Sequence, residues 1–208
     1  MIAVVDYGMG NLRSVQKALA SVGLDAVVTD RPRKIDDARA VVLPGVGAFG
    51  DCMHNLAARG LIEPVRRGIE AGKPYLGICL GLQILFDESH EFGRRKGLGL
   101  IPGRVVRFAE GQKGPDGEAL KIPHMGWNAI RARRGNPLFE GVRSGSHFYF
   151  VHSYYPVCDD PADVAATASY GGDFTVAVRR GNIFACQFHP EKSQQLGLRV
   201  LANFGGLL

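Results

Sequence analysis

The sequence predicts an α/β fold, with a mixed, mostly parallel central sheet flanked by helices and antiparallel additions in the C-terminal half. Three observations carry this expectation. Short β-branched apolar runs recur through the first half of the chain, and helical periodicity fills the interval between the first two. In the second half, strand-like pieces follow at short intervals with Gly, Pro and Asp between them.

Ile2–Val5, Ala26–Thr29, Ala40–Leu43 and Tyr75–Ile78 read as strands, so continuously apolar that both faces must be covered, as in a parallel sheet. Within Asn11–Val22, Leu12, Val15, Leu19 and Val22 fall at helical spacing. Further helices are expected over Gly60–Glu70, Leu80–Phe86 and Gln194–Phe204. Val105–Phe108, Trp127–Arg131, His147–Val151, Val164–Ser169, Phe174–Arg179 and Ile183–Gln187 supply the antiparallel additions. Glu110–Glu118, rich in Gly, is the loosest segment, and no repeat or low-complexity linker divides the chain. Residues 1–208 therefore read as one domain.

With 208 residues, 46% of them hydrophobic, the chain can bury a large core, which excludes intrinsic disorder. The net charge of +5 raises the question of a polyanionic partner. Its distribution answers it: residues 94–134 hold ten Lys/Arg and three Asp/Glu, a net +7, and the rest (15 Lys/Arg, 17 Asp/Glu) is −2. That stretch lacks the interleaved aromatics of a nucleic-acid platform, so no nucleic acid is expected; part of it is expected to face an acidic rim on a protein partner. Asp6 interrupts the first apolar run before a signal peptide could form. The longest charge-free apolar stretch, Pro74–Phe86, is too short to cross a bilayer. No membrane association is expected, and the cytoplasm is the expected compartment. The four cysteines include no C-x-x-C and no zinc-ligand spacing, so no metal and no disulfide framework is implied.

One cysteine has a chemical context. Gly77-Ile-Cys79-Leu-Gly81 follows an apolar strand and precedes a helix, the thiol version of the G-x-S-x-G elbow. The glycines allow a sharp turn and close packing, and a helix N-terminus favours thiolate. Near the C-terminus, His189-Pro190-Glu191 ends a strand. Glu191 can reach back to one imidazole nitrogen and leave the other for a thiol proton. Taken alone, each motif has a bland rival, a buried structural Cys or a surface turn; the pairing is what points to a nucleophile and its base. Cys52, Cys158 and Cys186 lack such a context. A third motif, Gly45-Val-Gly47-Ala-Phe-Gly50, matches the G-x-G-x-x-G dinucleotide fingerprint. Pro44, placement outside the first β-α-β unit and the lack of a ribose-binding acid argue against that reading. The alternatives are a simple turn or a backbone segment supplying oxyanion-hole N–H groups beside Cys79.

Gly-Ile-Cys-Leu-Gly-Leu-Gln with a late His-Pro-Glu resembles the class I (triad) glutamine amidotransferases. Asp6-Tyr-Gly-Met-Gly-Asn-Leu-Arg-Ser14, Leu43-Pro-Gly-Val-Gly-Ala-Phe49, Lys121-Ile-Pro-His-Met-Gly-Trp-Asn128 and Tyr149-Phe-Val-His-Ser-Tyr154 narrow the resemblance to the glutaminase subunits of imidazole glycerol phosphate synthase. The blocks span nearly the whole chain. The resemblance implies a flavodoxin-like amidotransferase fold in a single type 1 domain, with no cofactor. It implies L-glutamine as substrate, Cys79 as nucleophile, His189 as general acid–base and Glu191 as its orienter. Gly45, Val46, Gly47 and Leu80 would form the oxyanion region, and Gln83 would contact the glutamine. It further implies a heterodimer with a cyclase (β/α)8-barrel subunit that consumes the ammonia to make imidazole glycerol phosphate and an aminoimidazole carboxamide ribotide in histidine biosynthesis. Met9, Asn11, Trp127, Tyr149 and Lys192 are interface candidates, each with a plainer role as core, cap or solvated charge open to it. The rivals are another amidotransferase's glutaminase, a cysteine peptidase of similar fold, or a non-catalytic binding subunit.

Overall fold

The computed structural model describes residues 1–114 and 117–208. Of the Glu110–Glu118 segment, Pro115 and Asp116 lie outside the described residues. The parallel half of the main sheet is built from β1 (Ile2–Val5), β2 (Ala26–Thr29), β3 (Ala40–Gly45) and β4 (Tyr75–Cys79). Strands β5 (Phe86–Ser89), β6 (Arg95–Lys96), β7 (Ile101–Arg107), β8 (His124–Ala132), β9 (His147–His152) and β10 (Tyr154–Cys158) follow. β11 (Val164–Ser169), β12 (Asp173–Arg180) and β13 (Ile183–Cys186) complete the set. The helices are α1 (Leu12–Ser21), α2 (Pro32–Asp36), α3 (Phe49–Ala58), α4 (Ile62–Glu70), α5 (Leu80–Gln83) and α6 (Gln194–Gly205).

Nine strands form one sheet in the order β2-β1-β3-β4-β13-β12-β11-β8-β9. Pairing is parallel from β2 to β13 and antiparallel from β13 to β9, so the fold class read from the sequence holds. Side chains alternate between two cores: Ile2 and Val4 face one, with Leu19 of α1 and Phe204 of α6, while Ala3 and Val5 face the other, with Leu56 of α3 and Val65 of α4. This two-sided burial is why β1 and β3 carry no polar residues. A second sheet, β10-β7-β5-β6, packs beside the first.

One expected helix is cut short. Leu80–Phe86 is helical only to Gln83, and Phe86 opens β5, paired in parallel with β7 through Phe86 and Ile101. Leu82, Ile84, Leu85 and Phe86 are all buried, so the segment has no polar face to hold outward. The carbonyls that would continue the helix are taken elsewhere: Ile84 accepts from Leu98 N at 2.7 Å and Leu85 from Leu100 N at 2.8 Å. Helices α2 and α3 and strands β5, β6 and β10 were not anticipated. Strand order reverses at β1, and the C-terminal ends of β3, β4 and β13 converge at one edge of the sheet, where α/β folds place their ligands.

Candidate active site

Cys79 ends β4 with φ 56° and ψ −107°, in the left-handed half of backbone space that non-glycine residues avoid. Strand and helix join there without a connecting loop. A Cβ on Gly81 would strike the backbone oxygen of Leu43 on β3, and one on Gly77 would strike the backbone of Gly81. The glycines around the cysteine are thus required by close approach. Helix α5 has only four residues, so its dipole is weak, and the sulfur's immediate partners are side chains rather than a long helix terminus. Cys79 is 8% exposed at the base of a cavity of about 630 Å³, also lined by Val46, Gly47, Leu80, Gln83 and His189.

His189 comes from the turn after β13. Its backbone N–H donates to Tyr149 O at 2.9 Å, and Ser193 Oγ donates to its carbonyl at 2.7 Å while accepting from Tyr149 N at 3.0 Å. The imidazole is thereby tied to β9. Its Nδ1 lies 2.8 Å from Glu191 Oε1, with both side chains almost wholly buried. Asn11 Nδ2 donates to the same oxygen at 3.3 Å. With Nδ1 donating to the carboxylate, Nε2 is the atom left for the thiol side. Burial alone would depress the His189 pKa. Hydrogen bonding toward Cys79 and Glu191, together with their charges, outweighs it and raises the value to about 9. Nε2 has no hydrogen bond of full geometry in the resting site, the loose contact usual before substrate closes on it. Cys52 and Cys158 are pushed up to about 12, and Cys186 upward as well, by burial first, so these thiols stay protonated at neutral pH.

The glycine loop lies beside this pair. Gly45 is the register partner of Cys79, and Gly47 adopts φ 93°, a conformation that favours glycine. Met9 Cε stands 2.5 Å from where a Gly47 Cβ would be, so Met9 packs against the loop. At the start of α3, where a dinucleotide phosphate would sit, the Phe49 N–H already donates to the Glu91 carboxylate at 2.6 Å. An anion supplied by the chain itself occupies that position, which disfavours the fingerprint reading.

Gln83 lines the cavity, but its Nε2 is held by Tyr154 O and Gln187 Oε1, both at 3.0 Å. Among the described residues lining the cavity, Glu91 is the one acid and Arg107 the one Lys or Arg. Sequence reasoning singled out neither of these, nor Gln187, His124 and His152. For Gln187 a signal existed: an amide inside the buried run Ile183–Phe188 must find polar partners.

The interface candidates separate. Trp127 and Tyr149 are register partners on β8 and β9, with rings edge to face at 6.1 Å, and Lys192 Nζ lies 5.7 Å from the Tyr149 ring centroid. Trp127 is half exposed and Met125, on the same strand, is 61% exposed. Asn11 stands apart, against Glu191. It caps α1 by position but makes no side-chain cap bond. Four of the ten basic residues of the 94–134 stretch are paired with acids: Arg94 with Glu88, Arg104 with Asp159, Arg107 with Glu110 and Arg131 with Asp173. Among the described residues, no cluster of three or more His, Cys, Asp or Glu could hold a metal, and no helix is long and apolar enough to cross a membrane.

Comparison with known proteins shows the family. The family model "Glutamine amidotransferase class-I" matches residues 3–205. The chain is 59% identical over 207 residues to the imidazole glycerol phosphate synthase subunit HisH of Syntrophotalea carbinolica, covering all of both chains. It is 54% identical to that of Geobacter sulfurreducens, covering 98% of this chain and 97% of the relative. Among solved structures, a glutamine amidotransferase superposes with TM-score 0.71 at 23% identity, covering 99% of this chain and all of the other. PurLQS from Thermotoga maritima superposes with 0.73 at 21% identity, covering 99% of this chain and 97% of the other. At that depth of identity over its full length, the chain belongs to the class-I glutamine amidotransferases and, within them, to the HisH family of imidazole glycerol phosphate synthase glutaminase subunits.

Proposed function

We propose that Cys79, His189 and Glu191 act as the catalytic triad of glutamine hydrolysis. The buried 2.8 Å contact between His189 and Glu191, directed from behind at the Cys79 side of the cavity, carries this reading. The thiolate sulfur attacks the side-chain amide carbon of L-glutamine. The S–C bond forms and the C–N bond breaks, and the imidazolium of His189 gives its proton to the departing ammonia. The neutral imidazole then takes a proton from water, whose oxygen attacks the γ-glutamyl thioester and expels the thiolate as glutamate leaves. Backbone N–H groups of Leu80 and of Val46 or Gly47 hold the oxyanion, and loss of one such donor costs about 3 kcal/mol of barrier. Gly45 lets the loop lie against Leu80, because a Cβ there would sit 2.7 Å from the Leu80 Cβ.

Gln83, with its nitrogen occupied, presents Oε1 to the substrate. Glu91 and Arg107 suit the α-ammonium and α-carboxylate of an amino acid. The half-exposed Trp127, together with Met125, Tyr149 and Lys192, supports a docking face for the cyclase (β/α)8-barrel subunit, which would receive the ammonia in a heterodimer. Met9 would report closure of that face to the glycine loop. On this reading the chain works as a single amidotransferase domain in the cytoplasm. The test is glutamate release by the complex with its nucleotide ligand: Cys79→Ala should abolish it, and survival of activity overturns the nucleophile assignment. Wild-type activity indifferent to the barrel subunit would overturn the partnership.

A further inference from the structure

The Cys79 sulfur has a neighbour besides His189. Gln187, wholly buried, places its Nε2 3.6 Å from Sγ. Amide nitrogen and oxygen look alike, so the orientation must be fixed by what surrounds them. The carbonyl of Tyr154 can only accept, and Gln83 Nε2 is 3.0 Å from it. Gln83 therefore turns its NH2 group that way. The same nitrogen is 3.0 Å from Gln187, which must present its Oε1 there and its NH2 to the sulfur. Every reversed arrangement sets oxygen against oxygen or one NH2 group against another.

The Tyr154 carbonyl also anchors a second branch. His152 Nδ1 donates to it at 2.8 Å, leaving Nε2 as an acceptor. His124 Nδ1 donates to that nitrogen at 2.9 Å, and His124 Nε2 accepts from Asn128 Nδ2 at 3.1 Å. Asn128 Nδ2 is fixed in turn by the carbonyl of Ser169 at 2.9 Å. Both ends of the chain stop on backbone carbonyls, so every donor has one direction, and both histidines must be neutral to satisfy it. The network begins on β8, the strand that exposes Met125 and Trp127, and ends at the nucleophile.

We propose that Gln187 is a further catalytic residue, a donor to the Cys79 sulfur that favours thiolate, that Gln83 is a positioning residue that holds its amide in that sense, and that His152, His124 and Asn128 act one step further back by holding the Tyr154 carbonyl on which Gln83 rests. The inference rests on Cys79 being the nucleophile. A hydrogen bond to an ionised group is stronger than one to a neutral group, so the donor selects thiolate over thiol. The titratable groups around the sulfur are His189 and Glu191 from the turn after β13, Tyr7 from the end of β1, Cys52 from α3 and Cys186 from β13. Burial pushes Tyr7, Cys52 and Cys186 upward, so they remain neutral. His189 and Glu191 are the charged groups, and the substitutions below leave both in place.

The test follows the pH dependence of iodoacetamide alkylation at Cys79 in the complex with the barrel subunit, read by mass spectrometry of the Cys79 peptide. Gln187→Met keeps the volume and removes the donor. It should raise the alkylation midpoint by about one to two pH units and lower kcat about tenfold or more, with KM little changed. Gln187→Leu likewise removes the donor without adding a charge, so its midpoint should rise by a similar amount. If Gln187→Met does not fold, as judged by circular dichroism, this variant supplies the reading. His124→Phe, which cuts the chain but keeps a ring, should move the midpoint in the same direction by a smaller amount. A merely structural role for Gln187 would leave the midpoint unmoved. An unmoved midpoint in the folded Gln187 variants overturns the proposal while the nucleophile assignment stands. Survival of turnover in Cys79→Ala overturns both.

Discussion

Replacing Glu191 with glutamine isolates what its charge contributes. The substitution keeps size and shape, and an amide oxygen in place of Oε1 can still accept from His189 Nδ1 and Asn11 Nδ2, so the imidazole keeps its tautomer. What disappears is the negative charge beside the imidazolium. With charge centres about 4 Å apart and an effective dielectric of about 20, that charge is worth about 4 kcal/mol, or about three pH units on the imidazole. The His189 pKa, held at about 9 against the downward pull of burial, should fall to about 6. Donation of a proton to departing ammonia then loses its charged donor near neutral pH, and kcat should drop on the order of 10²- to 10³-fold. KM should change little, because Glu191 does not line the cavity. The assay is glutamate release by the complex between pH 6 and pH 9, with the alkaline limb of kcat moving toward acid by about three units in the variant. A kcat within about threefold of wild type with an unmoved limb would refute the assignment of Glu191 as the charge partner of His189.

Three further outcomes are expected. Gly81→Ala should destabilise the protein by about 1–3 kcal/mol in urea unfolding, since its Cβ meets the backbone of Leu43 rather than a side chain that could move. Burial lowers His124 to about 4 and His152 to about 3, with the His124 charge also opposing protonation of His152, whereas the unfolded chain binds these protons near pH 6.5. Their contribution to stability is thus complete above pH 6.5 and declines as pH falls toward the folded values, by about 1.4 kcal/mol per pH unit for each histidine. Denaturant titrations from pH 7 to pH 5 should show wild type losing stability faster than His124→Phe. Lys121→Glu should slow association with the barrel subunit at low salt; an unchanged salt dependence would assign that charge to solvent.

The existence of the parallel strands was legible because burial on both faces leaves unbroken apolar runs such as Ile2–Val5 and Ala40–Leu43, whereas their order was not. The Cys79 elbow was legible for a related reason, that close packing at Gly77 and Gly81 admits no other residue. Leu80–Phe86 was misread because an apolar run with no polar face fits helix or strand equally well, and the capture of the Ile84 and Leu85 carbonyls by residues 98–101 comes from outside the segment. The basic stretch was visible as a count, but three of its seven arginines find their acids on other strands and turns.

By itself, then, the sequence determined the fold class and marked the Cys79 elbow and the His189-Pro190-Glu191 turn, because these depend on apolar runs and on short-range spacing around turns that only particular residues can make. Tertiary structure alone decided what surrounds them: Asn11 behind Glu191, Glu91 at the start of α3, and Gln187 against the sulfur. Asn11 and Glu191 are 180 positions apart, and Gln187 and Cys79 are 108 apart. No local pattern encodes such contacts. They arise because β1, β3, β4 and β13 end at the same edge of one sheet, where buried polar groups from distant segments must satisfy one another.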